Sequence, residues 1–433
     1  MSKQTQAAAD INEDDYLEEG EPGPSLAERA RPIPRISIQA FCDDPHTAEV
    51  LQYAAEDRRL SKAHVSVHMG GIGAAIAHYV DSPTPNLIMI DSSLKGPALV
   101  GDLDKLAESC DPGTKVIVIG RHNDVFLYRE LLKRGVSEYL VTPVEPLALM
   151  ESISNLYNNP DTDPVGHVFA FIGAKGGVGS STICHNVGWT LSEVLKSNVA
   201  IADFDLAFGT TGLDFNQDPV QGIAEALAAP ERLDDQLLDR LLTKCSEHLS
   251  IFAAPVVLDR DYDLSPESCD MVIDVVRQNM PYVAIDLPHG WSPWTKRLLM
   301  QADEVIITAA PDLANLRNAK NIVDLLKTQR KNDSRPHLIL NMANMPKRQE
   351  ITVKEFEQAL DIKVLTVIDY DCETFSQAGN NGQMIEEFNP KAKASEHFRQ
   401  IAMGMTHRKE IKAEKKKSTS PFAPLLEKFK IKL

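Results

Sequence analysis

The sequence predicts an α/β protein made of two doubly wound domains. Short apolar segments typical of buried strands recur along the 433-residue chain, and segments with helical spacing separate them. A glycine-rich loop directly follows one of the strand-like segments. Such alternation favours parallel sheets covered by helices on both faces, and the length allows two or three domains of about 150 residues each.

The first predicted domain spans residues 36–157. Its strand-like segments are ISIQAF, PNLIMID, TKVIVIG and SEYLVTP, and the helical segments between them include HTAEVLQYAAEDRRL and VFLYRELLKRG. Residues 158–166, NNPDTDPVG, contain two prolines and almost no apolar side chain, which predicts a linker.

The second predicted domain spans residues 167–405. Its strand-like segments are HVFAFI, SNVAIADFD, MPYVAIDLP, ADEVIITAAP, PHLILNM and KVLTVID. Their continuous apolar runs indicate strands that are buried on both faces, as in a parallel sheet.

Both termini differ in composition from the two domains. Residues 1–35 are predicted to be a disordered acidic tail, since DINEDDYLEEGEPGP has few large apolar side chains. Residues 406–433 are basic, and the apolar side chains of PFAPLLEKFKIKL fall at helical spacing. Such a tail suits an anionic membrane surface or a docking site on a partner protein, and packing against the body of the chain is a third interpretation.

Composition excludes several function classes. The net charge of −17 argues against a general nucleic-acid binder, so no specific nucleic acid is expected as a partner. The six cysteines are scattered without a CxxC pair, which argues against zinc and iron–sulfur sites. The sequence shows neither a signal peptide nor an apolar run approaching the roughly 18 residues of a spanning helix, so a cytoplasmic protein is expected.

The glycine-rich loop lies in FIGAKGGVGSST, residues 171–182. Gly176, Gly177 and Gly179 allow backbone N–H groups to surround phosphate oxygens without Cβ clashes. The N-terminus of the following helix adds a partial positive charge, and Ser181 stands where a Ser or Thr normally binds Mg²⁺. The loop is therefore predicted to bind a nucleotide phosphate.

The loop departs from the common pattern of Gly, four residues, Gly, Lys, and Ser or Thr. Ala174 replaces the first glycine and Ser180 replaces the lysine, while Lys175 places a charge earlier in the loop. Loss of a charge-assisted phosphate contact worth roughly 1.5–3 kcal/mol would weaken nucleotide binding about ten- to a hundredfold.

Carboxylates follow two further strand-like segments. Asp203 and Asp205 lie in IADFDLAFG, and Asp286 lies in YVAIDLPHG. Open parallel sheets bind ligands at the carboxyl ends of their strands. Each aspartate alone is equally well explained as a helix cap, but together with the loop they predict Mg²⁺ ligands, partly through water, and a group that positions water.

The combined motifs resemble the deviant Walker ATPases of the ParA/MinD superfamily over about residues 166–405. The resemblance rests on KGGVG followed by Ser-Ser-Thr, on DFD at 203–205 and on DLPHG at 286–290. It implies ATP and Mg²⁺ as cofactors, and a homodimer in which Lys175 reaches the partner's phosphates. It also implies that Asp205 activates water and that Asp286 is the Walker B aspartate.

The same resemblance extends to the rest of the nucleotide site. It implies that the loop Lys175, Gly176, Gly177, Val178, Gly179, Ser180, Ser181 and Thr182 binds the nucleotide. Asn341 is expected to contact adenine, and the VIDYD segment ending at Asp371 is expected to cover the base. Because Ser180 lacks a charge, ATP hydrolysis is expected to be weak or absent.

Residues 36–157 resemble the flavodoxin-like receiver domain of response regulators. Asp43 and Asp44 match the acidic Mg²⁺ pair and Asp91 matches the phospho-acceptor, but Thr142 replaces the lysine before Pro143. A hydroxyl residue is also missing after VIVI, where the chain has a glycine. A degenerate receiver that serves in docking or dimerisation is therefore favoured over a phosphorylated switch.

A degenerate receiver ahead of a deviant Walker ATPase resembles the CpaE/TadZ family of Tad (Flp) pilus assembly. This resemblance implies an ATP-binding, dimerising localisation factor, often at a cell pole and peripheral to the inner membrane. Its expected partners are pilus assembly and secretion proteins or a polar landmark protein. A partitioning or cell-division positioning ATPase and a nucleotide-free scaffold are the alternatives.

Overall fold

The structure is a computed structural model that describes residues 30–34, 36–111, 113–157, 166–256 and 262–406. The predicted acidic tail up to residue 29, most of the predicted linker and the basic tail from residue 407 lie outside the described residues. Within the described part of the chain, no helix is both long and apolar enough to cross a membrane.

The first sheet has five parallel strands in the order β2-β1-β3-β4-β5. Its strands and helices are β1 Ser37–Cys42, α1 Pro45–Ala55, β2 His64–Met69, α2 Gly71–Tyr79, β3 Leu87–Asp91, α3 Gly96–Ala107, β4 Lys115–Gly120, α4 Val125–Lys133, β5 Glu138–Val141 and α5 Pro146–Tyr157. Apolar clusters cover both faces of the sheet, as the continuous apolar runs predict. The edge strand β2, HVSVHM, is the one strand of this sheet that the sequence did not predict, because half-exposed edge positions need no apolar run.

The second sheet has eight strands in the order β13-β12-β11-β6-β10-β7-β9-β8. The elements up to β9 are β6 His167–Gly173, α6 Ser180–Trp189, β7 Val199–Asp203, α7 Thr211–Asp214, α8 Ile223–Ala228, α9 Asp235–Leu241, β8 Thr243–Lys244 and β9 Leu249–Phe252. They continue with α10 Pro266–Asn279, β10 Tyr282–Asp286, α11 Pro293–Gln301, β11 Glu304–Ala309, α12 Leu313–Gln329, β12 His337–Ala343, α13 Val353–Leu360, β13 Val364–Asp369, α14 Cys372–Asn380, α15 Ile385–Phe388 and α16 Lys393–Thr406. The pairs are parallel except for β8 with β9, so the predicted α/β fold class with parallel sheets is confirmed.

The order of the second sheet brings the predicted site residues to one edge. Strand β10 lies between β6 and β7, and its last residue, Asp286, pairs with Phe171 on β6 and with Asp203 on β7. The glycine-rich loop leaves β6 two residues beyond Phe171. The carboxyl ends of three neighbouring strands therefore meet, which is where open parallel sheets bind ligands.

Buried ion pairs join the two sheets. They lie where the strands of the second sheet begin, opposite the glycine-rich loop, and we call this end of the sheet its amino edge. Arg58, which follows α1, forms ion pairs with Asp303 at 3.2 Å and with Asp333 at 2.7 Å. Arg59 also pairs with Asp333, and Arg330 approaches the same carboxylate to 2.6 Å. Asp303 precedes β11 and Asp333 lies between α12 and β12. The sequence predicted only a linker between the two halves and did not predict this contact.

Three arginines keep the carboxyl group of Asp333 ionised. Although burial favours the neutral acid, Arg58, Arg330 and Arg59 lower the pKa of Asp333 from its ordinary 3.8 to about 2. A depressed carboxylate pKa stabilises the folded state above the unfolded pKa. The contribution of Asp333 is therefore present above about pH 4 and is lost as the pH falls toward about 2.

We expect Asp333→Asn to destabilise the joined domains by about 3–5 kcal/mol, because breaking a buried ion pair leaves the arginines uncompensated. Chemical denaturation measures the free energy of unfolding. Asp102→Asn is the matched control, since Asp102 pairs with Lys105 in an exposed helical pair that contributes little. Equal effects of the two substitutions would contradict a stabilising role for the interface.

Candidate nucleotide-binding site

The loop between β6 and α6 has the backbone shape of a phosphate cradle. Gly177 and Gly179 adopt φ angles of +78° and +82°, in the left-handed region that favours glycine. A Cβ on Gly179 would lie 2.6 Å from Asn341 Nδ2. Both the backbone conformation and the close side chain therefore require glycine at position 179.

Amide side chains from two other elements hold this loop. Asn341 on β12 donates from Nδ2 to the Val178 carbonyl oxygen at 2.8 Å, and Asn318 on α12 donates to the Ala174 carbonyl oxygen at 2.8 Å. Asn341 is 4% exposed. Its expected contact with adenine stays a prediction, while its observed contact positions the loop. Asn318 belongs to no motif, and sequence reasoning missed it.

Lys175 is exposed, and within the described residues its ammonium group has neither a hydrogen bond nor an ion pair. Ser180 is buried, and its Oγ has no hydrogen-bond partner among the described residues. Ser181 and Thr182 are half-buried at the start of α6. The only cation in the loop thus faces outward, where it can meet a second molecule.

Asp203 and Asp286 end neighbouring strands but differ in their contacts. Asp203 accepts from the Asp205 backbone N–H at 3.0 Å through Oδ1, and from the Thr211 hydroxyl at 2.6 Å through Oδ2. Burial, reinforced by the charge of Asp286, raises the pKa of Asp203 to about 6. A Cβ on Gly209 would lie 2.3 Å from Asp203 Oδ2. Asp203 therefore organises the loop that follows β7.

Asp286 is the carboxylate available to a metal ion. It is 1% exposed, and neither of its oxygens has a hydrogen-bond partner among the described residues. The nearest cation is His185, whose Nε2 lies 3.5 Å from Oδ2. A buried carboxylate with free lone pairs, beside a helix that begins Ser180–Ser181, fits Mg²⁺ held directly or through water.

The remaining predicted site residues lie at the rim. Asp205 is half-buried, and its Oδ1 accepts from the Phe208 backbone N–H at 3.0 Å. Asp371 is exposed and caps α14 by accepting from the Thr374 backbone N–H at 3.0 Å. His289 was missed by the sequence reasoning, and its Nδ1 lies 3.3 Å from the Gly173 carbonyl oxygen at the base of the loop.

The aspartates of the first sheet are engaged in local contacts. Asp91 is buried, and its Oδ2 accepts from the backbone N–H groups of Asp43 and Asp44 at 3.0 and 2.8 Å. Asp43 accepts from the Ser93 backbone N–H, and Asp44 forms an ion pair with Arg121. Oδ1 of Asp91 has no hydrogen-bond partner among the described residues, and the degenerate receiver stays a prediction.

Residues 167–404 match the model of the family described as cellulose biosynthesis protein BcsQ. The chain belongs to this family.

Comparison with known proteins agrees with the fold of this BcsQ-family chain. The septum site-determining protein MinD of Bacillus subtilis is 27% identical over 252 residues, which make up 55% of this chain and 88% of that protein. The crystal structure of a ParA family ATPase from Chlorobium tepidum is 28% identical with a TM-score of 0.51, and the match covers 55% of this chain and 98% of that one. The second sheet and its helices thus form a ParA/MinD-type ATPase domain.

A third similarity concerns a smaller part of the chain. The crystal structure of a pilus assembly protein CpaE from Caulobacter crescentus is 48% identical, and the match covers 30% of this chain and 98% of that one, with a TM-score of 0.29.

We expect Gly179→Ala to abolish measurable nucleotide binding, because alanine combines left-handed strain with a clash against Asn341. Gly135→Ala is the matched control, since Gly135 has a φ of +92° and nothing within 4 Å of the added Cβ. Both variants should lose about 1–2 kcal/mol from backbone strain. Calorimetric titration with Mg·ATP separates them, and retained binding in Gly179→Ala would contradict the proposed cradle.

Proposed function

We propose that this BcsQ-family chain binds Mg·ATP, dimerises around the nucleotide and positions pilus assembly and secretion machinery, with weak or no ATP hydrolysis. The observation that carries the nucleotide part is the buried carboxylate of Asp286, which accepts no hydrogen bond from the described residues, beside a left-handed glycine cradle. The positioning part rests on the combination of a receiver-like half with this variant loop.

Phosphate binding follows from the backbone of the loop and the start of α6. Backbone N–H groups at a glycine-rich turn and at a helix N-terminus are oriented toward anionic oxygens. Bound Mg²⁺ would neutralise phosphate charge, and Ser181 and Asp286 are the residues placed to hold it. Asn318 and Asn341 keep the loop in this shape by binding its carbonyl groups.

Dimerisation follows from where the loop carries its charge. Since Ser180 carries no charge, the phosphates of a nucleotide bound to a single chain lack the usual lysine partner. Exposed Lys175 is placed to supply that charge to the nucleotide of a second copy. Nucleotide affinity and dimer formation should therefore depend on each other.

Hydrolysis depends on Asp205. Its half-buried carboxylate lies at the rim, with one oxygen accepting from the Phe208 backbone N–H. The other oxygen is available to orient a water molecule as a hydrogen-bond acceptor. With no lysine at position 180 to stabilise the charge that develops on the ADP leaving group, turnover is expected to be slow.

We expect Lys175→Ala to bind Mg·ATP more weakly and to stay monomeric at nucleotide concentrations that dimerise the wild type. Calorimetry and light scattering measure these two properties. Lys196→Ala is the control, because Lys196 is an exposed lysine paired with Glu193 after α6. Wild-type protein that binds no ATP at millimolar concentration would favour the scaffold alternative.

Restoring the usual lysine tests the role of position 180. We expect Ser180→Lys to tighten Mg·ATP binding by about ten- to a hundredfold, since it adds a charge-assisted contact worth roughly 1.5–3 kcal/mol. Ser334→Lys adds the same charge at an exposed position on the amino edge and should leave the affinity unchanged. Equal affinities of Ser180→Lys and the wild type would contradict this assignment.

The positioning role is tested in cells. Fluorescent fusions of the wild type, of Lys175→Ala and of a chain lacking residues 421–433 are compared for polar foci and for pilus number. Foci that require Lys175 support nucleotide-dependent positioning, and foci that require the tail support anchoring through it. Unchanged foci and unchanged pili in both variants would contradict the proposal.

Two other functions are alternatives. The family description names cellulose biosynthesis, and a role in it is tested by cellulose output in a deletion strain. DNA partitioning, which the sequence left open, predicts DNA retention that falls steeply with salt.

A further inference from the structure

His185 is a buried histidine beneath the candidate nucleotide site. It lies in α6 four residues after Ser181, so both side chains project from the same face of the helix. Its side chain is fully buried. Nδ1 lies 2.7 Å from Asp214 Oδ2, and Nε2 lies 3.0 Å from Thr211 Oγ1. The ring therefore joins the helix that begins at the phosphate loop to both ends of α7.

The partners of the two ring nitrogens show that both nitrogens donate hydrogen bonds. The Thr211 hydroxyl donates to Asp203 Oδ2 at 2.6 Å, so its oxygen accepts from His185 Nε2–H. The Asp214 carboxylate accepts from Nδ1–H. Both ring nitrogens are donors, so each bond has a fixed direction.

The segment held by His185 has few apolar anchors of its own. Among residues 207–214 only Thr211 is buried, while Phe208 and Leu213 are 74% and 75% exposed. This segment begins two residues after Asp205, the residue that the proposed function places beside the attacking water, and the intervening Leu206 is buried. The bonds of His185 and Asp203 attach the segment to α6 and β7.

Packing alone does not account for a polar ring at this position. An apolar side chain of similar volume would fill the same space without requiring buried polar partners. The ring instead links three parts of the site: α6 through its own backbone, β10 through Asp286 at 3.5 Å, and α7 through Thr211 and Asp214.

We propose that His185 is a positioning residue that couples nucleotide occupancy at the start of α6 to the order of residues 205–216. The inference rests on the proposed nucleotide site. A nucleotide bound at Ser181 and Asp286 restrains α6 and β10, which the ring contacts. The ring in turn restrains the segment that carries Asp205. Asp286 is both a candidate metal ligand and a neighbour of the ring, which makes the coupling short.

Hydrogen exchange followed by mass spectrometry tests the coupling in the full-length protein. We expect Mg·ADP to slow exchange in peptides covering residues 205–216 of the wild type by at least about fivefold, the lower end of ordinary coupling between two sites. In His185→Gln this slowing should largely disappear, whereas slowing in the loop at residues 174–182 should persist. Calorimetry confirms that each sample is saturated with nucleotide.

Two further variants distinguish coupling from a general loss of stability. Asp214→Asn breaks the other end of the same bond and should reproduce His185→Gln, and the double variant should add little to either, as expected for residues in one network. His248→Asn is the matched control, because in the described structure the His248 side chain hydrogen-bonds only the exposed Asn198. It should behave as the wild type.

Each outcome has a definite meaning. If His185→Gln exchanges faster throughout but keeps the nucleotide-dependent slowing at 205–216, the residue is structural and the proposal is wrong. Should that variant not fold, Asp214→Asn carries the same test, since its side chain is partly exposed. Wild type that binds Mg·ADP without slowing at 205–216 overturns the coupling alone, and wild type that binds no nucleotide overturns the proposed function with it.

Discussion

Two aspartates end neighbouring parallel strands in register, and the site is organised by the need to give each buried carboxylate a partner. Asp203 and Asp286 face the same dry edge of the sheet, where like charges repel strongly. The chain satisfies Asp203 internally, through the backbone N–H of Asp205 and the hydroxyl of Thr211. Among the described residues, the oxygens of Asp286 accept no hydrogen bond, and the His185 ring lies 3.5 Å away. One carboxylate thus shapes a loop, while the other keeps its lone pairs free of hydrogen bonds from the described residues.

Sequence patterns were sufficient for the fold class and for bringing the candidate site residues to one edge of the sheet, since buried parallel strands and glycine loops leave strong local signals. The apolar runs of β6, β7 and β10 predicted their burial, and the rule that ligands bind at carboxyl ends brought Asp203 and Asp286 together. The weaker strands β2 and β9 were missed because edge and short strands do not need continuous apolar runs.

Contacts between distant parts of the chain could not be predicted in the same way. Asn318 and His185 look like ordinary helical residues, and only the fold shows that one binds the loop and the other joins three elements. The different contacts of Asp203 and Asp286 could not be predicted either, because both residues end apolar strands. The arginine contacts at Asp333 depend on how two sheets are placed, which no local pattern encodes.

The placement of the receiver-like half at the amino edge of the ATPase sheet has a consequence for assemblies. If two copies meet at their carboxyl edges around shared nucleotides, the receiver-like halves lie on the outer sides of the pair, facing away from each other. Such a pair is a bivalent ligand whose two binding surfaces are held apart by the thickness of two ATPase domains. A partner with matching spacing would gain avidity from the nucleotide-bound pair that a single copy lacks, without any new contact.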